Sequence, residues 1–276
     1  TKQSDYFASL THEIRTPMNA IIGMSQVLID DNTKKNSLSK TEEDTIKTIN
    51  RSSNILLELI NDILDFSKIE AEMLSLENIS FDLNITLDYI ADMIALKIKE
   101  KDLDLIFDID HNVDKNFIGD PLRISQILLN LIGNAVKFTN EGRIDITIKI
   151  AEKFNNDKIK LEFIIKDTGI GIPEEQLGKV FNSFEQADGS TTRNFGGTGL
   201  GLSISTQLSD LMGGEIGVES EQGVGSTFWF TIRVEKSTQS EENRSRIASQ
   251  LHNVHALIVD DNHTNRLILE RHLSAW

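Results

Sequence analysis

From Phe7 the apolar residues fall at Phe7, Leu10, Ile14, Pro17, Ile21, Met24 and Leu28, in alternating steps of three and four. That rhythm keeps one stripe of a helix apolar, as in the seam of a coiled coil or bundle, and predicts one long helix. The polar stretch Asp30 to Lys40 ends it, and Ser39 followed by Glu42 matches a capping box opening a second helix. The second seam reads Ile46, Ile49, Ser53, Leu56, Ile60 and Ile63, widened by Leu57, Leu59 and Leu64. Two helices cannot enclose so wide an apolar face. Two hairpins paired as a four-helix bundle do, which predicts a homodimer.

After Leu74 the pattern mixes periods of two and 3.6. Strands are predicted at Leu105 to Ile109, Ile144 to Ile150, Lys160 to Ile165 and Thr227 to Val234, several of them antiparallel. Helices are predicted at Thr86 to Glu100, Pro121 to Phe138 and Gly201 to Met212, the last ended by Gly213-Gly214. The fold class is therefore α+β, with an N-terminal helical hairpin (residues 1–72) and a mixed domain (73–236). Residues 237–253 are polar and aperiodic, a linker by composition. Residues 254–276 begin with the apolar run Ala256 to Val259 and the acids Asp260 and Asp261, too short a piece to fold alone.

Composition narrows the reading. A length of 276 residues is more than the ~100–150 of one domain, and no apolar run approaches the ~18 residues that span a bilayer. The net charge of −15 opposes nucleic-acid binding, which relies on Lys and Arg displacing counterions. The absence of cysteine removes disulfides, thiol catalysis and Cys-ligated zinc. With no initiating methionine and no signal-peptide pattern, Thr1 reads as a boundary inside a longer protein. The expectation is a cytoplasmic fragment without membrane contact of its own, compatible with a membrane-anchored parent.

Candidate chemistry begins at His12. At ~100° per residue it points away from the apolar seam, along a polar face with Thr16, Asn19 and Gly23. A solvent-facing imidazole with its ordinary pKa of ~6.5 is largely neutral near pH 7 and is a competent nucleophile. Glu13 beside it suits orienting the ring and accepting a proton, and Pro17 predicts a kink just after the pair. Taken alone, His12 more readily describes an ordinary surface histidine.

Asn130, Asn134 and Lys137 lie at i, i+4 and i+7 of one predicted helix, hence on one face, beside apolar Leu128, Leu131, Ile132 and Val136. Amides with an ammonium suit phosphates and magnesium, for which an Asn oxygen plus ATP phosphates suffices as a ligand set; the same face also describes a solvated surface. Asp167-Thr-Gly169-Ile-Gly171 follows a strand, where glycines allow backbone to approach a flat ligand and the carboxylate accepts from an exocyclic amine. A simple turn is the alternative. Gly196-Gly197-Thr198-Gly199-Leu200-Gly201 abuts a helix start, a phosphate cradle by its backbone N–H groups, or else a linker. It satisfies neither the dinucleotide fingerprint nor the P-loop spacing. Phe181 and Phe184 read as anchors of a lid or as core, and Arg193 reads as reaching a terminal phosphate or as solvated.

In this order, His12-Glu-Ile-Arg-Thr-Pro17, Asn130, Asn134, Lys137-Phe138, Asp167-Thr-Gly-Ile-Gly171, Phe181 with Phe184, and Gly197-Thr-Gly-Leu-Gly201 closely resemble the sensor histidine kinases of two-component signalling. The resemblance covers Thr1 to about Lys236. It implies a dimerisation and phosphotransfer bundle followed by a Bergerat-type α/β-sandwich that binds ATP. It further implies magnesium on Asn134, phosphates on Asn130 and Lys137, the adenine amine on Asp167, and support of the adenine pocket by Thr227. His12 would accept the γ-phosphate with Glu13 assisting, and Thr16 would position water for dephosphorylating a partner aspartyl phosphate. Thr11 stands where many relatives have Ser. Leu257 to Asn262 looks like the first strand and acidic pair of a receiver domain whose phosphoacceptor aspartate would lie on a later strand, beyond Trp276. The implied parent is a hybrid kinase, and the implied partner is a receiver domain of that parent or of a separate response regulator. Chaperone, topoisomerase and mismatch-repair ATPases share the nucleotide fold but leave His12-Glu13 unexplained. A nucleotide-gated scaffold or phosphatase with weak kinase activity is the other alternative.

Overall fold

A computed structural model describes residues 14, 16–30, 38–154, 157–183, 199–237, 255–259, 270 and 273. The chain divides into two units, Thr1–Ser75 and Leu76–Trp276. Among the described residues no helix is long and apolar enough to cross a membrane.

In the first unit, helix α1 runs over residues 16–30 and α2 over Lys40–Glu70. The capping box forms as the spacing predicts: Glu42 N donates to Ser39 Oγ, and Ser39 N donates to the Glu42 carboxylate at 2.8 Å. Among the described residues of this hairpin, Met18, Ser25, Ser53 and Leu64 are buried. Polar contacts join its helices, since Asn50 Nδ2 donates to Ser25 Oγ at 2.8 Å and to the Ile22 carbonyl at 3.3 Å. The predicted seam has a different fate within one chain. Ile21, Met24, Leu28, Ile49, Leu56 and Ile63 are all exposed. His12 and Glu13 lie outside the described residues, and Pro17 lies within α1.

The second unit contains β1 (Ile79–Asp82), α3 (Leu83–Lys101), β2 (Leu103–Ile109), β3 (Asn116–Gly119), α4 (Pro121–Phe138), β4 (Gly142–Lys153), β5 (Lys158–Asp167), the short α5 (Glu174–Leu177), α6 (Gly201–Leu211), β6 (Ile216–Glu221) and β7 (Gly225–Lys236). The strands form one sheet in the order β1-β3-β7-β5-β4-β2. One edge of β7 is shared, with β6 along its first half and β3 at its end. All pairs are antiparallel except β2 with β4. Helix α4 packs between α3 and α6 and against β4 and β5, giving a sandwich of helices on a sheet.

Alternation in the strands explains the layering. On β4, Ile144, Ile146 and Ile148 are buried; on β5, Ile159, Leu161, Phe163 and Ile165; on β7, Phe228, Phe230, Ile232 and Val234. The intervening residues carry the polar face, including the Lys149–Glu162 ion pair at 2.8 Å. Phe163 stacks on Phe230 at 4.7 Å between ring centroids, both fully buried. In this unit the four predicted strands at 105–109, 144–150, 160–165 and 227–234 are present with longer bounds, as is α3; α4 has the predicted bounds and α6 ends one residue early, while β1, β3 and β6 add to them. Residues 255–259 form no strand. Leu257 and Val259 are 90% and 82% exposed.

Phe163→Ala removes half of the central stack and leaves a void in a fully enclosed layer, at a cost of about 3–5 kcal/mol. The expected readout is a lower urea midpoint for this unit with an unchanged slope.

Candidate functional site

Strand β5 ends at Asp167, and the pleat decides where that side chain goes. Residues 159, 161, 163, 165 and 167 are all buried, so the carboxylate lies on the helix-covered face at 5% exposure. Its Oδ1 accepts from Gly169 N at 2.8 Å and from Ser226 N at 3.3 Å. Burial pushes its carboxyl above the usual carboxylate range, and these two backbone donors oppose that rise.

The turn after Asp167 has no room for side chains at its glycines. A Cβ on Gly169 would lie 2.6 Å from the Phe138 carbonyl oxygen, and one on Gly171, where φ is +65°, would lie 2.0 Å from the Glu221 carbonyl oxygen. Further hydrogen bonds tie this turn to its neighbours: Ile170 N to the Phe138 carbonyl at 3.3 Å, Ile172 N to Ser220 Oγ at 2.8 Å, and Gly223 N to the Ile170 carbonyl at 2.7 Å. The turn is therefore fixed against both the end of α4 and the β6–β7 hairpin.

Helix α4 is built to present one polar face. Asp120 caps it, accepting from Arg123 N at 3.0 Å, and Pro121 begins it. Ile124, Ile127, Leu128, Leu131, Ile132, Ala135 and Val136 are buried, leaving Asn130, Asn134 and Lys137 half-buried on the other side. Asn130 Nδ2 donates to Ser205 Oγ on α6 at 2.9 Å, and Asn134 Nδ2 reaches Asn130 Oδ1 at 3.5 Å. The Lys137 ammonium stands 4.8 Å from the centroid of the Phe138 ring, and burial lowers its pKa.

The start of α6 meets this face. A Cβ on Gly201 would come within 2.4 Å of Asn130 Oδ1, so a side chain there would displace the amide from its present position. Gly199 has φ of +69°, and Leu200 is buried. Gly196, Gly197, Thr198, Arg193 and Phe184 lie outside the described residues. Phe181 packs edge-on against Phe228 with centroids 6.4 Å apart, the core reading of the two the sequence left open.

Asn130, Asn134, Gly201 and the Asp167 turn are thus brought together through α4, α6 and β5. Thr227 is placed differently from the expectation. It pairs with Lys166, and strand alternation puts it on the face opposite Asp167. Ser226 is the residue of β7 that meets Asp167, and its hydroxyl pairs with Ser220 Oγ at 2.9 Å. Ser205 and Ser226 carried no signal of their own in the sequence, since each is a lone small residue whose role depends on a neighbour distant along the chain.

An acid whose folded pKa is raised favours folding while protonated and loses that contribution as pH rises through the folded value. The Asp167→Asn variant, which removes this titration and keeps an acceptor oxygen, should gain stability relative to the parent as pH rises from 4 to 7. Urea unfolding of both proteins, free of nucleotide, across that range checks the sign.

Two family models match the chain: the His Kinase A (phospho-acceptor) domain over residues 2–72, and the histidine kinase-, DNA gyrase B- and HSP90-like ATPase over residues 119–236. The chain is 46% identical over 233 residues to the signal transduction histidine-protein kinase BarA of Escherichia coli K12, covering 84% of this chain and 25% of BarA. It is 42% identical over 241 residues to the sensor histidine kinase GacS of Pseudomonas protegens, covering 87% of this chain and 26% of GacS. The chain therefore spans about a quarter of the length of these curated relatives. Among solved structures, full-length ShkA in complex with AMPPNP superposes with a TM-score of 0.67 at 30% identity, over 84% of this chain and 46% of that one. With the two family regions in this order, and relatives named as histidine kinases matching along most of its length, the chain belongs to the sensor histidine kinases.

Proposed function

We propose that the second unit binds magnesium-ATP and that the chain transfers the γ-phosphate to His12. The observation that carries the nucleotide half is the half-buried Asn130–Asn134–Lys137 face, positioned next to the glycine start of α6 and the buried Asp167 turn. Asp167, its Oδ1 held by two backbone donors, offers its other oxygen to an exocyclic amine. Lys137 and the backbone N–H groups of Gly199 and Gly201 serve phosphate oxygens. The AMPPNP in the ShkA structure supports the same ligand class.

The donor chemistry fits magnesium. Among the described residues no group of three or more His, Asp or Glu is placed to hold a metal, so the cation's ligands would be phosphate and water oxygens plus the Asn134 amide oxygen. When bound it supplies charge neutralisation at the phosphates. The remaining work belongs to the chain. A ring nitrogen of His12 forms the new bond to the γ-phosphorus, the bond to the β,γ-bridging oxygen breaks, ADP departs, and Glu13 takes the imidazole proton. Positioning and electrostatics carry most of the acceleration. Arg193, Gly197, Thr198 and Leu200 complete the proposed phosphate contacts.

The exposed seam on α1 and α2 supports a homodimer, because a second hairpin is the cover such a stripe fits. Onward transfer to a receiver-domain aspartate, with Thr16 positioning the water that hydrolyses the resulting aspartyl phosphate to inorganic phosphate, completes the proposal.

With γ-labelled ATP, the chain should acquire a label that is lost in acid and kept in base. The His12→Gln variant should lose the label while binding nucleotide normally. Retention of the same label in that variant would sink the assignment. For Asn134→Ala, magnesium-dependent labelling should fall at least about a hundredfold, and an unchanged rate would remove its role.

A further inference from the structure

Every α-helix leaves its last four carbonyls without intrahelical partners, and in α4 all of these groups are accounted for. The Ala135 carbonyl accepts from Thr139 N at 3.0 Å, and that of Phe138 accepts from Ile170 N at 3.3 Å. The remaining two, those of Val136 and Lys137, accept from one ammonium, Lys101 Nζ, at 2.7 and 3.0 Å. The same nitrogen donates to the Thr139 carbonyl at 3.0 Å. An ammonium has three N–H donors, and here each has a carbonyl. The charge also sits at the negative end of the α4 dipole. Thr139 is fully buried and its own hydroxyl makes no hydrogen bond, so that side chain does not stand in for Lys101.

The location gives this clamp a consequence beyond stability. The last two turns of α4 carry Asn134 and Lys137, and its final residue touches the Asp167 turn twice, through the Phe138 carbonyl bound to Ile170 N and the close approach of that carbonyl to Gly169. Lys101 lies at the C-terminal end of α3, next to Asp102, whose left-handed backbone (φ 53°) ends that helix and turns the chain into β2. One side chain therefore fixes the seam where the α4 face and the Asp167 turn meet.

We propose that Lys101 is a positioning residue for the nucleotide site, holding the last turn of α4 so that Asn134 and Lys137 keep their register with Asp167. This rests on the nucleotide assignment above. A compact ammonium with three rotatable donors suits three convergent carbonyls, and nothing in the arrangement asks Lys101 to touch the ligand. Loss of the clamp lets the turn fray while leaving the transfer chemistry at His12 untouched.

The test uses the full chain with Lys101→Met, Lys101→Arg, and Asp167→Asn as the control on the site itself. Lys101→Met should raise KM for ATP about tenfold while kcat stays within about threefold. In the nucleotide-free protein it should speed hydrogen exchange at Thr139 N and Ile170 N. Lys101→Arg, which keeps the charge and several donors, should recover most of the affinity. If Lys101→Met does not fold, Lys101→Gln carries the measurement, with KM raised by about threefold or more. A Lys101 variant that lowers thermal stability but leaves KM and the two exchange rates unchanged overturns the positioning role. Unchanged ATP affinity in Asp167→Asn overturns the nucleotide assignment itself, so the two failures are told apart.

Discussion

Asp167 is buried because β5 has a period of two. Four apolar residues, at 159, 161, 163 and 165, fix which face of this strand meets the helices, and the next position in that series is a carboxylate. Moving it to solvent would require a one-residue slip, which would expose Phe163 and break the pairing of β5 with both neighbours. The strand's hydrophobic contacts thus hold a polar group where burial disfavours its charge. Gly169 N and Ser226 N offset part of that penalty and, in doing so, select the shape of the following turn. The glycines at 169 and 171 follow from the same constraint, since the turn runs against the Phe138 and Glu221 carbonyls with no space for a side chain.

Helix α4 is the second member of this arrangement and is anchored at both ends. At its start Asp120 uses both oxygens, Oδ1 for Arg123 N and Oδ2 for Glu77 N at 2.9 Å, so the cap also tethers the segment before β1. At its end the carbonyls are closed by Lys101 and Ile170. Between the ends its apolar side fills the space between sheet and flanking helices. A helix held this way has little freedom to rotate, and rotation is the motion that would take Asn130 from Ser205 and Asn134 from its place beside it. Preorganisation of this kind is what phosphoryl transfer asks of a site whose work is mainly placement.

Helix α4 was legible from end to end because Pro121 suits a first helical position and its apolar stripe has a clean helical period. Ser39 and Glu42 were legible for the same kind of reason, as a local pair with a fixed spacing. The strands missed in the sequence are β1 and β3, of four residues each, and β6, whose burial pattern is weak. Four residues are too few to establish a period. The exchange of Thr227 for Ser226 beside Asp167 has a different origin: adjacent strand residues face opposite ways, and only the register with β5 decides which one turns inward. Lys101 was illegible because a lysine at the end of a helix is ordinarily solvated, and its three acceptors lie 35 to 38 residues further along the chain.

The two units solve the burial problem differently. The second closes its core within one chain, with fully buried residues on helices and sheet alike. The first buries Met18 and Leu64 but leaves Ile21, Met24, Leu28, Ile49, Leu56 and Ile63 in water. A two-helix hairpin has no third element to lay against that stripe, so its stability is tied to what pairs with it. This division suits the proposed chemistry. The nucleotide site needs to be rigid before ATP arrives, which a self-contained core provides. In the proposed transfer, His12 would first meet a γ-phosphate and later a receiver aspartate, and a hairpin whose apolar stripe is covered by a second copy would leave its polar positions open to both.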